Sequence, residues 1–235
     1  MYIGDPAKGN RPVKTKATSR RVRSNDRPRR RTAVIMDAAA QVFAERGFHG
    51  ASTQDIADVL GIRQASLYYY FPSKEVALEE VCMRGVEGFL EAAIAIAGAP
   101  GTARDKLARL IEAHLSPLLD HRDYMRTFLN ERQHLPNESR RRIGRLSRAY
   151  ERLIEDIVQA GVRGGEFRLD INCRITALAL LGMTNAVAAW FSKEPNMTVE
   201  TIASEFVRLL LSGIGSDGRS LRAKSHSGRQ LGAAS

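Results

Sequence analysis

The stretch 53–74, TQDIADVLGIRQASLYYYFPSK, leaves its chain few ways to fold. Ile56, Ala57 and Leu60 recur at helical spacing and give the first half one apolar stripe. Gly61 follows where that helix must end, because only a residue without a Cβ enters the left-handed C′ conformation cheaply. Ile62 is placed to drop into a small core between two helices. A second helix over 64–70 buries Leu67 and turns Gln64, Ser66, Tyr68, Tyr69 and Tyr70 outward, until Pro72 halts it. Two short helices joined by a glycine turn make a helix-turn-helix, whose second helix fits the major groove of DNA.

The flanks extend the same grammar. Residues 31–46 read as a helix with Val34, Ile35, Ala38, Ala39, Val42 and Phe43 on its inner face, capped by Gly47, with Phe48 packing back. Ser52 and Thr53 are N-cap candidates for the next helix, and Asp55 sits in its first turn, where the dipole favours an acid. Ser73 caps a long helix, SKEVALEEVCMRGVEGFLEAAIAIAG, whose Val76, Val81, Val86, Phe89, Leu90 and Ala93 suit a connector touching both halves of the protein. Taken together, AAAQVFAERGFHGASTQDIADVLGIRQASLYYYFPSKEVAL resembles the DNA-binding half of the TetR/AcrR family of one-component transcriptional regulators, a likeness that covers residues 31–78.

At the recognition helix, the amide of Gln64 is able to bond bidentately to adenine N6 and N7. Arg63 can read guanine or grip a phosphate, and stands where the resembled family more often has a Ser N-cap. The resemblance implies phosphate and groove contacts for Ser66, Tyr68, Tyr70 and Lys74. Tyr69 is a candidate for a thymine methyl, and Thr53 with the helix N-terminus that it begins for a further phosphate. Of the three tyrosines, Tyr68 is the one expected to be partly buried.

Charge is placed unevenly. The 235 residues carry a formal net charge of +10, but residues 1–31 hold 11 Lys+Arg against 2 Asp+Glu, and the body from 32 to 214 holds 21 against 23. The basicity belongs to the ends, as phosphate contact would use it. Residues 1–28 hold almost nothing apolar and read as a disordered arm, either following the adjacent minor groove or merely solvated. Residues 29–75 form the DNA-binding domain, 76–214 a ligand-binding and dimerisation domain, and 215–235 a second disordered tail. Cys82 and Cys173 fit no metal spacing and read as reduced thiols. No apolar N-terminal run and no uninterrupted membrane-length segment is evident, Thr184 and Asn185 breaking the nearest, so a cytoplasmic protein without membrane contact is expected.

Beyond residue 100 the chain is all-α. Helices are expected over 102–119 (bent at Pro117), 124–131, 138–162, 171–192 and 198–212. The fourth of these is apolar on nearly every face and so must be covered on every face. A homodimer built on the last two helices as a four-helix bundle meets that need, and the family resemblance implies the same arrangement. The run GGEFRLDINCRITALALLGMTNAVAAWF further resembles a subgroup of TetR-like regulators of fatty-acid, sterol and related acyl catabolism, several of which answer to acyl-CoA thioesters. Such a ligand needs an apolar tunnel, for which Leu118, Met125, Phe128, Leu129, Tyr150, Met183, Val187 and Trp190 are candidates. It also needs cations for its phosphates, for which Arg132, Arg174 and Arg148 are candidates. Another hydrophobic or aromatic effector remains the alternative.

Catalysis finds no support. Gly213, Gly215 and Gly218 spell GxGxxG, but after a helix rather than a strand. His114, His121 and His134 lack metal spacing, and mid-helix His114 reads as a satisfied core residue or a ligand contact. No cofactor is expected. The rival reading is an effector-independent protein that binds DNA nonspecifically through its basic arms. Specific binding should survive loss of residues 1–28 and collapse on Gln64→Ala or Tyr68→Ala, whereas nonspecific binding should do the reverse.

Overall fold

The computed structural model describes residues 26–215, so the expectations for the outer arm and tail fall outside the described residues. The described chain is all-helical: α1 Asp26–Gly50, α2 Thr53–Leu60, α3 Gln64–Leu67, α4 Lys74–Gly98, α5 Ala103–Leu115, α6 Pro117–Asp120, α7 Arg122–Glu131, α8 Asn137–Arg163, α9 Cys173–Trp190 and α10 Val199–Ile214. An isolated bridge between Phe167 and Gly215 ties the turn after α8 to the end of α10.

Two hydrophobic cores organise these helices. One gathers α1, α2, α3 and the first half of α4, and is closed by Tyr124, Leu135 and Ile143 from the body. The other joins the second half of α4 to α5, α8, α9 and α10 around Leu107, Ile111, Ile154 and Leu180. Helix α4 is therefore a wall of both, as its apolar repeat suggested, and the core of the head continues across residue 75 into the body.

Several sequence expectations need correction. Helix α1 begins at Asp26, five residues before the expected start, so residues 26–28 are helical; a proline in the first turn sacrifices no intrahelical bond. Val34 is 56% exposed, while Met36 and Ala40 are buried. The reason is that α7 packs α1 from a second side, which rotates the buried arc of α1 away from Val34. Regular helix in α3 stops at Leu67, although the amides of Tyr70 and Phe71 both still donate to Leu67 O at 2.8 and 3.0 Å. At Pro117 regular helix is interrupted between α5 and α6, while Ser116 keeps helical dihedrals and its amide still donates to Glu112 O at 2.9 Å.

Cys173–Lys193 is long and apolar enough, by length and composition alone, to cross a membrane, despite the interruption noted in its sequence. Its central polar groups are nonetheless satisfied within the protein. Thr184, fully buried, bonds to Leu180 O, and Asn185 bonds to His114. One face of this helix packs in the body while Ile175 and Leu178 on the other are 64% and 45% exposed.

Candidate nucleic-acid interface and effector cavities

The head is built from local signals. Ser52 caps α2 reciprocally with Asp55: Ser52 Oγ accepts the Asp55 amide at 3.1 Å, and Asp55 Oδ2 accepts the Ser52 amide at 2.8 Å. The Ser52 hydroxyl also donates to Asp55 Oδ2 at 2.6 Å, and this bond first, then the Ser52 amide, with Arg46 paired to the same carboxylate, hold Asp55 below the usual carboxylate range. Gly61 ends α2 with φ 62°, its amide directed to Ala57 O and Asp58 O. Ile56, Ala57 and Leu67 then close the angle between α2 and α3 with no exposed surface.

The predicted DNA contacts fall into three groups. Thr53, Gln64 and Tyr68 are brought together: Gln64 Nε2 donates to Thr53 Oγ1 at 2.7 Å and lies 3.5 Å from the Tyr68 hydroxyl. Arg63, Ser66 and Tyr69 project freely, Tyr69 being 87% exposed. Tyr70, not Tyr68, is the half-buried tyrosine, because it packs on the head core while Tyr68 is 49% exposed. Lys74 has a second task that its sequence position concealed. Its ammonium donates to Phe48 O at 2.8 Å and Ala51 O at 3.0 Å and lies over the Phe48 ring, locking the loop before α2. Thr53, Tyr68 and Lys74 also border a shallow recess of about 340 Å³ between the N-termini of α2 and α4. Two helix N-termini facing one notch favour an anion there.

In the body, the predicted ligand residues do not line one tunnel. Val187 is wholly buried and Trp190 half-buried in the body core; Met183 is half-buried on the same helix. Tyr150 OH donates to His114 Nδ1 at 2.9 Å, and His114 Nε2 donates to Asn185 Oδ1 at 3.0 Å. Burial holds His114 neutral by lowering it from 6.5 to about 4, against the opposing pull of the Asn185 bond. This is the satisfied core histidine. Arg174 is held by Glu151 at 2.5 Å and Glu155 at 3.7 Å. Arg132 lies over the Phe128 ring at 5.0 Å and borders a separate recess with Arg140 and Arg148. An apolar stripe identifies a buried face, but it does not say whether that face meets a cavity or another helix.

Leu118, Met125 and Leu129 do border cavities, though three different ones. The most apolar, about 470 Å³, lies between α1, α4, α5 and α7, with Phe89, Met125 and Tyr124 in its walls and Arg84, Asp37 and His121 at its polar edge. Sequence reasoning found Met125 but missed the rest of this lining. Gly85 and Gly88 were the available signal, since glycine inside a long helix costs stability and leaves space that a side chain would fill. A Cβ on Gly85 would lie 3.5 Å from Phe128 Cβ, whereas one on Gly88 would meet nothing within 4 Å.

Helix α7 ties this cavity to the head. Tyr124 OH donates to Asp37 Oδ1 at 2.9 Å, Thr127 Oγ1 to Ala40 O at 3.2 Å, and the Phe48 amide to Glu131 Oε2 at 2.7 Å. Positions 124, 127 and 131 share one helix face, so a single face of α7 grips α1 along its length.

A helix-turn-helix head with an outward recognition turn, set on a helical body with cavities at the joint, defines a DNA-binding regulator. Residues 35–81 match the family described as bacterial regulatory proteins, tetR family, and residues 100–214 match the tetracyclin repressor-like C-terminal domain. A transcriptional regulator of the TetR/AcrR family from Thermobifida fusca is 30% identical, with a TM-score of 0.61 over 78% of this chain and 97% of that one. The HTH-type transcriptional repressor KstR2 of Rhodococcus jostii is 29% identical over 187 residues, 77% of this chain and 90% of its own. The transcriptional regulator FadR of Bacillus subtilis, solved in complex with stearoyl-CoA, is 26% identical with a TM-score of 0.64, covering 77% of this chain and 98% of that one. The chain belongs to the TetR/AcrR family of transcriptional regulators, a family of regulators and not of enzymes.

Proposed function

We propose that this protein is a homodimeric repressor that holds a two-fold operator through α3 and releases it when an acyl-CoA-like effector fills the cavities at the head–body joint. The observation that carries this reading is the α7 face: the helix that walls the apolar cavity also bonds to α1 at three points. A ligand that displaces Tyr124 would act on the helix that is bonded to α1 of the head, so occupancy and head position are linked as one equilibrium. The likeness to a regulator solved with stearoyl-CoA supports a long acyl thioester as the effector class, and the likeness to a repressor supports the sign of control.

At the DNA, Gln64 reads a base edge, with Arg63, Ser66, Tyr68, Tyr69 and Tyr70 around it and the Thr53–Lys74 notch seated on a phosphate. Two such heads engage successive major grooves roughly 34–36 Å apart or near a multiple of that spacing. Ile175 and Leu178 on α9 and Leu209 on α10, between 45% and 64% exposed, supply the apolar face for a partner copy. Ile175→Glu should therefore convert the dimer to monomer in sedimentation.

The test is a thermal-shift and operator-binding series with palmitoyl-CoA, shorter acyl-CoAs and palmitate. A true effector at a hundredfold excess over its dissociation constant stabilises the protein by about 2.7 kcal/mol and lowers operator affinity. No shift and no release with any thioester would remove the acyl-CoA reading.

A further inference from the structure

We infer that three recesses around the first turn of α7 form one elongated effector site, with the acyl end beside Phe89 and the phosphorylated head against Arg122, Arg126 and Lys193. The assignment rests on the acyl-thioester reading above and specifies how such a ligand lies.

The recesses share walls. The apolar one of about 470 Å³ has Asp37, His121 and Tyr124 in common with a second of about 380 Å³. The second has Arg122 and Ser192 in common with a third of about 540 Å³ between α7 and the C-terminal half of α9. Together they wrap the N-terminal turn of α7 from the head–body joint to the outer surface of α9.

Their chemistry changes along this path. The first is lined by Phe89, Ala92, Ala113 and Met125, with Gly88 opening its floor; it suits a hydrocarbon chain. The second carries the carboxylates of Asp37, Asp120 and Asp123. These repel phosphate and accept hydrogen bonds, so this segment suits a neutral arm with amide N–H donors. The third has Arg122, Arg126 and Lys193 in its walls and no carboxylate. Among the described residues none of these three cations has a salt bridge. Arg122 Nε is also buried without a hydrogen-bond partner. A buried guanidinium N–H lacking an acceptor is costly, and an anionic oxygen is the partner that relieves it best. An acyl chain joined through a neutral amide arm to a multiply phosphorylated head matches that order end to end. Its middle passes Tyr124, where the bond to Asp37 holds α1.

Calorimetric titration of the full-length chain with palmitoyl-CoA, free CoA and palmitate tests the assignment. Arg126→Gln and Lys193→Gln, on partly or fully exposed side chains, should each weaken palmitoyl-CoA and free CoA by about tenfold and reduce the salt dependence of binding, leaving palmitate unchanged. Gly88→Trp should weaken palmitoyl-CoA and palmitate and spare free CoA. Unchanged palmitoyl-CoA affinity and salt dependence in both cation variants, with tight binding by the wild type, would overturn the elongated site and leave the effector class intact. Absence of binding by any acyl compound to the wild type would overturn both. Binding of free CoA with no gain from acylation would overturn the continuous path.

Discussion

The phenol of Tyr124 donates a 2.9 Å hydrogen bond to Asp37 Oδ1 across the joint between body and head. Burial first, and the Asp37 bond second, push the ionisation of Tyr124 upward, with Arg84 partly opposing. The phenol therefore stays a donor across the physiological range. The residue also stands in the walls of both inner recesses, so whatever enters them meets this bond.

Tyr124→Phe keeps the ring and deletes the donor. The expected cost is about 1 kcal/mol of stability in urea denaturation, with faster hydrogen exchange in α1 and unchanged protection in α5 and α10. Equal protection of α1 in the variant and the wild type would show that the bond does not hold the head.

Thr53 Oγ1 accepts from Gln64 Nε2 and so orients the side chain that we propose reads a base edge. Thr53→Val retains shape and removes the acceptor. Operator affinity should fall by up to about 1–3 kcal/mol, as for loss of one bidentate base contact, while the salt slope of binding stays constant. Gln64→Ala should have the same effect, and the double variant little more than either alone. Additive losses would mean that the two residues act separately on DNA.

His114 gives a pH signature. Its ring is lowered from 6.5 to about 4 chiefly by burial. As pH falls through 6.5 the unfolded chain gains this proton, while the native protein does not until about 4. The unfolded state binds more protons across that window, so stability declines with falling pH, by up to roughly 3 kcal/mol. His114→Gln should lose stability at neutral pH yet flatten the slope between pH 4 and 6.5 in chemical denaturation. An unaltered slope would assign the pH dependence to other groups.

Gly161 lies where α8 meets the turn that follows it. A Cβ there would overlap the edge of the Phe167 ring and crowd the Ala103 methyl, and Phe167 is 1% exposed with the body packed around it. Gly161→Ala should destabilise the protein by about 1–3 kcal/mol or more through overpacking, read as a lower urea midpoint. Gly165→Ala offers a contrast, its cost coming from a φ of 73° rather than from a clash.

The head was legible because its determinants are local. The Ser52–Asp55 cap, the left-handed Gly61, the 56–60 stripe and the Ser73 cap each act within a few residues, and each appears where the spacing places it. Helix order in the body was legible for the same reason, since periodicity, glycine and proline are local signals. Tyr70 rather than Tyr68 turned inward, and Lys74 turned to the carbonyls of Phe48 and Ala51, because those choices depend on where α1 ends in space.

Cavities depend on which faces of distant helices fail to meet, and no spacing along one helix encodes that. Arg174 and Arg132 were plausible anion partners in sequence. Tertiary packing set carboxylates of α8 beside the first and the Phe128 ring beneath the second. It left Arg122, Arg126 and Lys193, drawn from two separate helical segments, around one recess. Sequence alone therefore determined a helix-turn-helix regulator of this family, since a short-range code builds that unit. Only the tertiary structure decided how α7 joins body to head and where charge stays unpaired, because both are properties of long-range contact.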